Sequence, residues 1–170
     1  MAEILTPLRT LFETVGEFPS SIAIRESQYL WPWIIVLHVV SMGTFAGLVV
    51  MMDLRLLGIG NMRTPFSEVQ KRLFPWQMVA MAATSITGVT LLYADPMRFF
   101  VNIFFWIKML MIVITAINAM AFHYITYNSV GIWDSADTTP LGARLSGLVS
   151  VVLWALVIVS GRLIPYNWFQ

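Results

Sequence analysis

An uncharged apolar stretch, residues 30–52, constrains the fold of this chain more than any other feature. About 20 apolar residues suffice for a helix to cross the hydrocarbon core of a bilayer. Three more apolar stretches follow, and the short loops between them predict antiparallel neighbours. Only 11% of the residues are charged, whereas soluble domains are roughly 25% charged. We therefore predict an all-α integral membrane four-helix bundle, with spans at about residues 29–52, 75–93, 103–126 and 145–164.

Charge and cysteine content exclude several classes of function. The net charge of +1 gives no reason to expect a nucleic-acid partner, and the absence of cysteine excludes disulfides and thiolate chemistry. The sequence contains no pattern typical of a nucleophile–base triad, a phosphate-binding loop or a carboxylate metal cage. Hydrolytic chemistry is therefore not expected.

Residues 1–18 differ from the apolar stretches and are treated as a separate segment, with residues 19–170 forming the bundle. Leu8, Leu11, Phe12 and Val15 recur at helical spacing among polar residues. This pattern predicts a short amphipathic helix that lies in the membrane interface. The alternative is a loosely held tail.

An internal repeat with an offset of 73 residues runs through the chain. The matched pairs are Trp33 and Trp106, Ile34 and Ile107, Leu37 and Leu110, Gly58 and Gly131, Ile59 and Ile132, Thr87 and Ser160, Gly88 and Gly161, and Tyr93 and Tyr166. The repeat predicts two parallel two-helix units that face each other across a pseudo-twofold axis along the membrane normal. His38 then corresponds to Met111 at a similar depth.

The orientation signal comes from the loop between the first two spans. This loop carries Arg55, Arg63, Lys71 and Arg72. Because positive loops favour the cytoplasm, we expect both termini to lie outside.

His38 is the strongest polar group of the first span. Ionisable groups at this depth are costly and usually have a partner or a function. The expected roles are cofactor ligand, proton relay, or donor of an interhelical hydrogen bond to Ser41, Thr84 or Ser85.

Two cations, Lys108 and Arg162, are expected at the same half of the bundle as His38, without a carboxylate at their depth. Glu26 and Asp95 lie only at the rim. Buried cations need anions, which a ligand can supply. A b-type haem meets this need, with the iron on His38 and the propionates towards both cations. The alternative is that Lys108 and Arg162 extend to the lipid headgroups.

The repeat supplies the other residues of this haem site. Met111 is one candidate for the second axial ligand and Lys108 is another. Gly88 and Gly161 are expected to let the helix backbones approach a flat ring closely.

A second cluster is expected near the opposite ends of spans one and three. His123 and Asp53 fall at similar depth there, which suggests a proton entry or a second metal or haem site. The alternative is an interfacial histidine paired with a carboxylate. Trp76 and Gln77, at the start of span two, are candidates to border a quinone head group.

The sequence resembles a family of uncharacterised bacterial four-span membrane proteins over nearly its whole length. The residues that carry the resemblance are Ile24-Arg25-Glu26-Ser27, Leu37-His38-Val39, Asp53-Leu54-Arg55-Leu56-Leu57-Gly58, Pro75-Trp76, Lys108, Asn118, Phe122-His123 and Gly161-Arg162. The resemblance implies a multi-pass protein of the bacterial inner membrane.

A more distant similarity is to the HemJ-type protoporphyrinogen oxidases and the copper-resistance D-like proteins. Those small helical bundles have a histidine in the first span, a lysine early in a later span and a histidine at the end of that span. The pattern falls on His38, Lys108 and His123, and it implies a haem-b protein. The amphipathic N-terminal segment is an addition here, and the oxidase activity is not carried over.

Three functions remain open from the sequence. The leading hypothesis is a membrane haem-b protein that carries electrons, with quinone as a candidate partner, alone, as a homo-oligomer or as a subunit of a redox complex. The second is a non-catalytic accessory or assembly subunit of a membrane complex. The third is a carrier of metal or small anions.

Overall fold

The computed structural model describes residues 2–59, 64–134 and 139–166, so Arg63 of the positive loop lies outside the described residues. A π-helical turn, Phe122–Thr126, and a short 3-10 turn, Tyr127–Ser129, extend the sixth helix. The α-helices are α1 (Ala2–Gly16), α2 (Pro19–Glu26), α3 (Leu30–Leu56), α4 (Phe66–Ala94), α5 (Pro96–Phe100), α6 (Ile103–Ala121), α7 (Val130–Trp133) and α8 (Leu141–Leu163).

Four long helices, α3, α4, α6 with its π-helical turn, and α8, are long and apolar enough to cross a membrane. This finding confirms the predicted four-span helical protein in contact with the bilayer. Helix α4 begins at Phe66, nine residues before the apolar stretch predicted for its span. Its first turns carry polar residues, which hydropathy does not count as part of a span.

The long helices pack as two hairpins, α3 with α4 and α6 with α8, and the hairpins meet where α3 packs on α8. We call this contact the closed seam. Helices α4 and α6 barely contact each other along their lengths, and we call the space between them the open seam. Helices α3 and α6 begin at Leu30 and Ile103, 73 residues apart, in agreement with the repeat. In a symmetric bundle, both seams would be closed or both would be open. The packing of the two hairpins is therefore asymmetric.

Two buried clusters lie along the bundle. We call the end at which α3 and α6 begin the upper end and the opposite end the lower end. Ala46, Trp154 and Val157 form a cluster across the closed seam. A lower cluster contains Phe66 and Trp133 together with Leu56 and Ala143. Most other large apolar side chains point outwards, as expected of helices surrounded by lipid tails.

The N-terminal segment is helical and packs on the upper end of the bundle. The rings of Phe12 and Phe100 lie 5.2 Å apart, which joins α1 to α5. The hydroxyl of Ser21 donates to the carbonyl oxygens of Tyr93 (2.8 Å) and Ala94 (3.0 Å), which joins α2 to the end of α4. The position of α1 in the membrane interface remains a prediction.

Candidate cofactor-binding centre

His38 lies in α3, eight residues and roughly 12 Å from its upper end. Its Nδ1 is 3.0 Å from the hydroxyl oxygen of Thr87 on α4. The Thr87 hydroxyl donates its proton to the carbonyl of Ala83, 2.7 Å away, so it accepts from His38. We therefore assign the ring proton to Nδ1. Among the described residues, no hydrogen bond to Nε2 is found, and the ring also interacts with the backbone of Thr84, one of the partners predicted from the sequence.

Gly88 makes room for this imidazole. A Cβ atom added at Gly88 would stand 3.0 Å from Cε1 of His38. The ring therefore packs directly on the backbone of α4. The sequence predicted that Gly88 lets its helix approach a flat cofactor closely. In the structure, the group beside Gly88 is the ring of His38.

Lys108 lies five residues, roughly 7.5 Å, from the upper end of α6. Its half-buried side chain runs along Gly161 of α8, where an added Cβ would be 3.6 Å from Nζ. No carboxylate or hydrogen-bond acceptor pairs with this ammonium group in the part of the chain that the structure describes. The site therefore contains a cation without a protein anion.

Asn102 holds the start of α6 in position for Lys108. Its Oδ1 accepts hydrogen bonds from the backbone N–H groups of Phe104 (2.9 Å) and Phe105 (3.4 Å), as a helix N-cap does. Its Nδ2 donates to the carbonyl of Ile164, 2.8 Å away, at the end of α8. One buried side chain thus caps α6 and ties it to α8.

The four long helices contribute to a single polar centre near the upper end. Gly88 and Gly161 are equivalent in the repeat, and each lies beside one ionisable side chain of the neighbouring helix. His38 and Lys108 are close enough for their charges to interact. We call His38, Thr87, Gly88, Lys108 and Gly161 the upper centre. The sequence had singled out all five, but it had not paired Thr87 with His38.

Met111 and Arg162 lie apart from these contacts. Met111 packs against the buried cluster of Ala46, Trp154 and Val157. Arg162 is exposed near the end of α8. Their roles as axial ligand and propionate partner remain predictions, and neither residue belongs to the contacts that define the upper centre.

The structure does not pair His123 with Asp53. His123 is exposed on the π-helical turn, and its ring stacks on Tyr127 at 5.4 Å and 15°. Asp53 is buried against α8 instead. The π-helical turn changes the direction in which side chains point, which a regular helical spacing does not anticipate. Among the described residues, no three histidine, cysteine or acidic side chains form a metal-binding group.

Trp76 and Gln77 point to different surroundings. The Gln77 amide donates to the sulfur of Met52, 2.9 Å away, between α4 and α3. Trp76 is 67% exposed. They do not line the same space.

A groove of about 1090 Å³ lies at the lower end of the open seam. We call it the lower groove. Lys71, Phe74 and Pro75 of α4 line one side, and His123 and Tyr127 line the other.

Comparison with known proteins supports only a family assignment. No curated protein and no solved structure matches the chain at a significant level. Residues 32–167 match a family of unknown function, and this range includes the upper centre and all four long helices except the first two residues of α3. The chain therefore belongs to the DUF6644 family, whose function is unknown.

Proposed function

We propose that this protein binds haem b at the upper centre and carries electrons within the membrane. One observation carries the proposal: His38 and Lys108 lie in one centre, and within the described residues neither Nε2 nor the ammonium group has a partner in the hydrogen bonds and ion pairs found.

The hydrogen bond of His38 fits the role of an iron ligand. A histidine that binds a metal through one nitrogen usually donates a hydrogen bond from the other. Thr87 accepts this bond from Nδ1, which leaves the lone pair of Nε2 for a ligand. A neutral imidazole is also the form that haem iron takes as an axial ligand.

Lys108 fits the role of a cationic partner for the haem propionates. An ammonium group that is half-buried among apolar helices without an anion is costly, and a propionate would compensate its charge. Met111 and Lys108 both remain candidates for a second iron ligand. Haem b would supply a one-electron couple, and His38 and Lys108 would hold and orient it.

The resemblance to haem-binding HemJ-type and copper-resistance D-like bundles also supports this proposal. Their pattern falls on His38, Lys108 and His123 of this chain. The proposal also includes quinone as the redox partner and an association with other redox subunits or with a second copy of the chain. It places the protein in the bacterial inner membrane.

The test is a visible absorption spectrum of the protein purified in mild detergent after expression with ample haem. The oxidised and dithionite-reduced forms are recorded, and haem is quantified against protein. We expect a Soret band, sharp reduced α and β bands, and about one haem per chain. In contrast, His38→Ala should lose the spectrum while the protein still inserts.

His123→Ala is the matched control, because it removes the other histidine and leaves the upper centre intact. It should keep the haem content and the reduced spectrum. A colourless wild-type protein, or an unchanged spectrum in His38→Ala, would overturn the proposal. Two haems per chain would instead return His123 to consideration as a ligand.

A second candidate function is the binding or carriage of a small anion. The same centre favours it, because Lys108 supplies positive charge beside the polar His38 ring and has no paired carboxylate among the described residues. Anion uptake into proteoliposomes that Lys108→Met abolishes, in a protein that lacks haem, would support it. The accessory-subunit hypothesis predicts a colourless protein without uptake that co-purifies with a membrane complex.

A further inference from the structure

Asp53 is a buried acid at the lower end of the closed seam. The residue is 6% exposed, and its Oδ2 atom is buried without a hydrogen-bond partner among the described residues. Helix α3 ends three residues later, at Leu56. Asp53 therefore lies roughly 4.5 Å along the helix axis from the end of its span.

Close packing of α8 on α3 causes this burial. A Cβ atom added at Gly147 would stand 3.1 Å from the Asp53 carbonyl oxygen and 3.2 Å from Cβ of Leu56. Three residues further along α8, the buried hydroxyl of Ser150 interacts with the Asp53 carboxyl group. The environment that α8 offers this acid is therefore small and uncharged.

The cations that the structure describes near this end of the bundle contact other groups. Arg55, on the same helix, donates to the carbonyl oxygen of Thr64 at 3.1 and 3.3 Å. Arg144 of α8 approaches Gly58. On the α4 side, the neutral amide of Gln77 donates to Met52. Both ion pairs found among the described residues, Arg9 with Glu13 and Arg72 with Glu68, lie elsewhere.

An ionised carboxylate in such a place would have lost its water without gaining a cation. The neutral acid avoids this cost. We infer that Asp53 is a protonated carboxylic acid and forms a proton-exchange site at the lower end of the closed seam. The site binds one proton on a carboxyl oxygen. On release, the proton passes to water at the nearby helix end and leaves the carboxylate with the Ser150 hydroxyl as its hydrogen-bond donor.

Infrared spectroscopy of the purified full-length protein at neutral pH tests this inference. A protonated carboxylic acid has a C=O stretching band above the amide I region that shifts in D₂O. We expect such a band in the wild-type protein and its loss in Asp53→Asn. The matched control, Glu68→Gln, changes an exposed acid that is paired with Arg72 and should keep the band.

Ser150→Ala provides a second readout if Asp53→Asn does not fold. Loss of the hydroxyl should shift the band to higher frequency without removing it. The absence of a band in the wild-type protein, or a band that persists unchanged in either variant, would overturn the inference. So would loss of the band on adding sodium at constant pH, because a metal cation would then occupy the site. None of these outcomes depends on haem binding, so the inference can fail or hold independently of the proposed function.

Discussion

The two seams between the hairpins occupy equivalent positions in the 73-residue repeat, but they differ in structure. In the closed seam, Gly147 of α8 lies against α3. The equivalent position on α4, 73 residues earlier, is Phe74, which is 49% exposed and lines the lower groove. A glycine lets two helix backbones approach, whereas a phenylalanine ring holds them apart. The size of the side chain at this position is therefore one difference between the two seams.

The partner helices also differ at this level. Asp53 of α3 corresponds to Thr126, which lies at the end of the π-helical turn after α6. Thr126 lies close to Gly142 of α8, where an added Cβ would be 3.6 Å from its hydroxyl oxygen. The two repeats therefore share their helices and helix directions, whereas the contacts between the repeats differ.

Bridging contacts at the lower end connect the two sides of the open seam. Phe66, at the start of α4, packs edge-on against Phe122 at 5.9 Å and lies 5.8 Å from Trp133. Asp134 accepts hydrogen bonds from the backbone N–H (2.9 Å) and the hydroxyl of Ser67. The open seam is therefore joined at one end rather than along its length.

Removing the aromatic bridge should have the largest effect on the open seam. Phe66 is 0% exposed, and a buried Phe→Ala substitution typically costs about 3–5 kcal/mol. We expect Phe66→Ala to lower the free energy of unfolding by that amount, measured by tryptophan fluorescence in mixed micelles. The control on the same helix, Phe74→Ala, should change it little. Equal losses in the two variants would contradict the bridge.

Adding one methyl group should open the closed seam. Gly147→Ala places Cβ against the backbone of α3, and such overpacking typically costs about 1–3 kcal/mol. The same unfolding measurement checks this value. Gly43→Ala is the matched control, because no atom of another described element lies within 4 Å of its added Cβ. A helical alanine is favoured there by up to about 1 kcal/mol, so a destabilised control would be unexpected.

Loss of the Asp134 carboxylate should loosen the start of α4. Helix caps contribute about 0.5–2 kcal/mol, so we expect Asp134→Ala to destabilise the protein by an amount in that range. Faster hydrogen exchange at the Ser67 amide, measured by NMR or mass spectrometry, would localise the effect. Asp134→Asn keeps an acceptor oxygen and should exchange more slowly than the alanine variant. An Asp134→Ala variant that exchanges at the wild-type rate would show that this carboxylate does not hold the start of α4.

The smallest expected effect distinguishes the two equivalent glycines of the upper centre. Gly88→Ala would press its Cβ against the His38 ring, whereas the Cβ of Gly161→Ala would meet Lys108 at an ordinary contact distance. A side chain forced off its rotamer costs about 0.5–1.5 kcal/mol. Nitrogen-15 NMR of the His38 ring should therefore show altered resonances in Gly88→Ala and near-wild-type resonances in Gly161→Ala. The opposite pattern would show that the ring does not rest on α4.

Much of the fold and part of the upper centre followed from the sequence. Apolar length predicted the four long helices, and helical spacing predicted a helix in residues 1–18. His38 and Lys108 stood out because ionisable groups are rare in such stretches. The contacts of Asp53 and His123 did not follow, because similar depth in two helices says nothing about which way each side chain faces.

The sequence by itself determined that this is a multi-pass helical protein built from two related hairpins, because hydropathy and the 73-residue offset are properties of the chain alone. Only the tertiary structure decided that Thr87 accepts from His38, that Gly161 lies beside Lys108, and that Asp53 is buried beside Ser150. These contacts depend on how far each helix is rotated and how closely it approaches its neighbour. Rotation and approach are set by the sizes of the side chains where helices cross, and those side chains come from distant parts of the sequence.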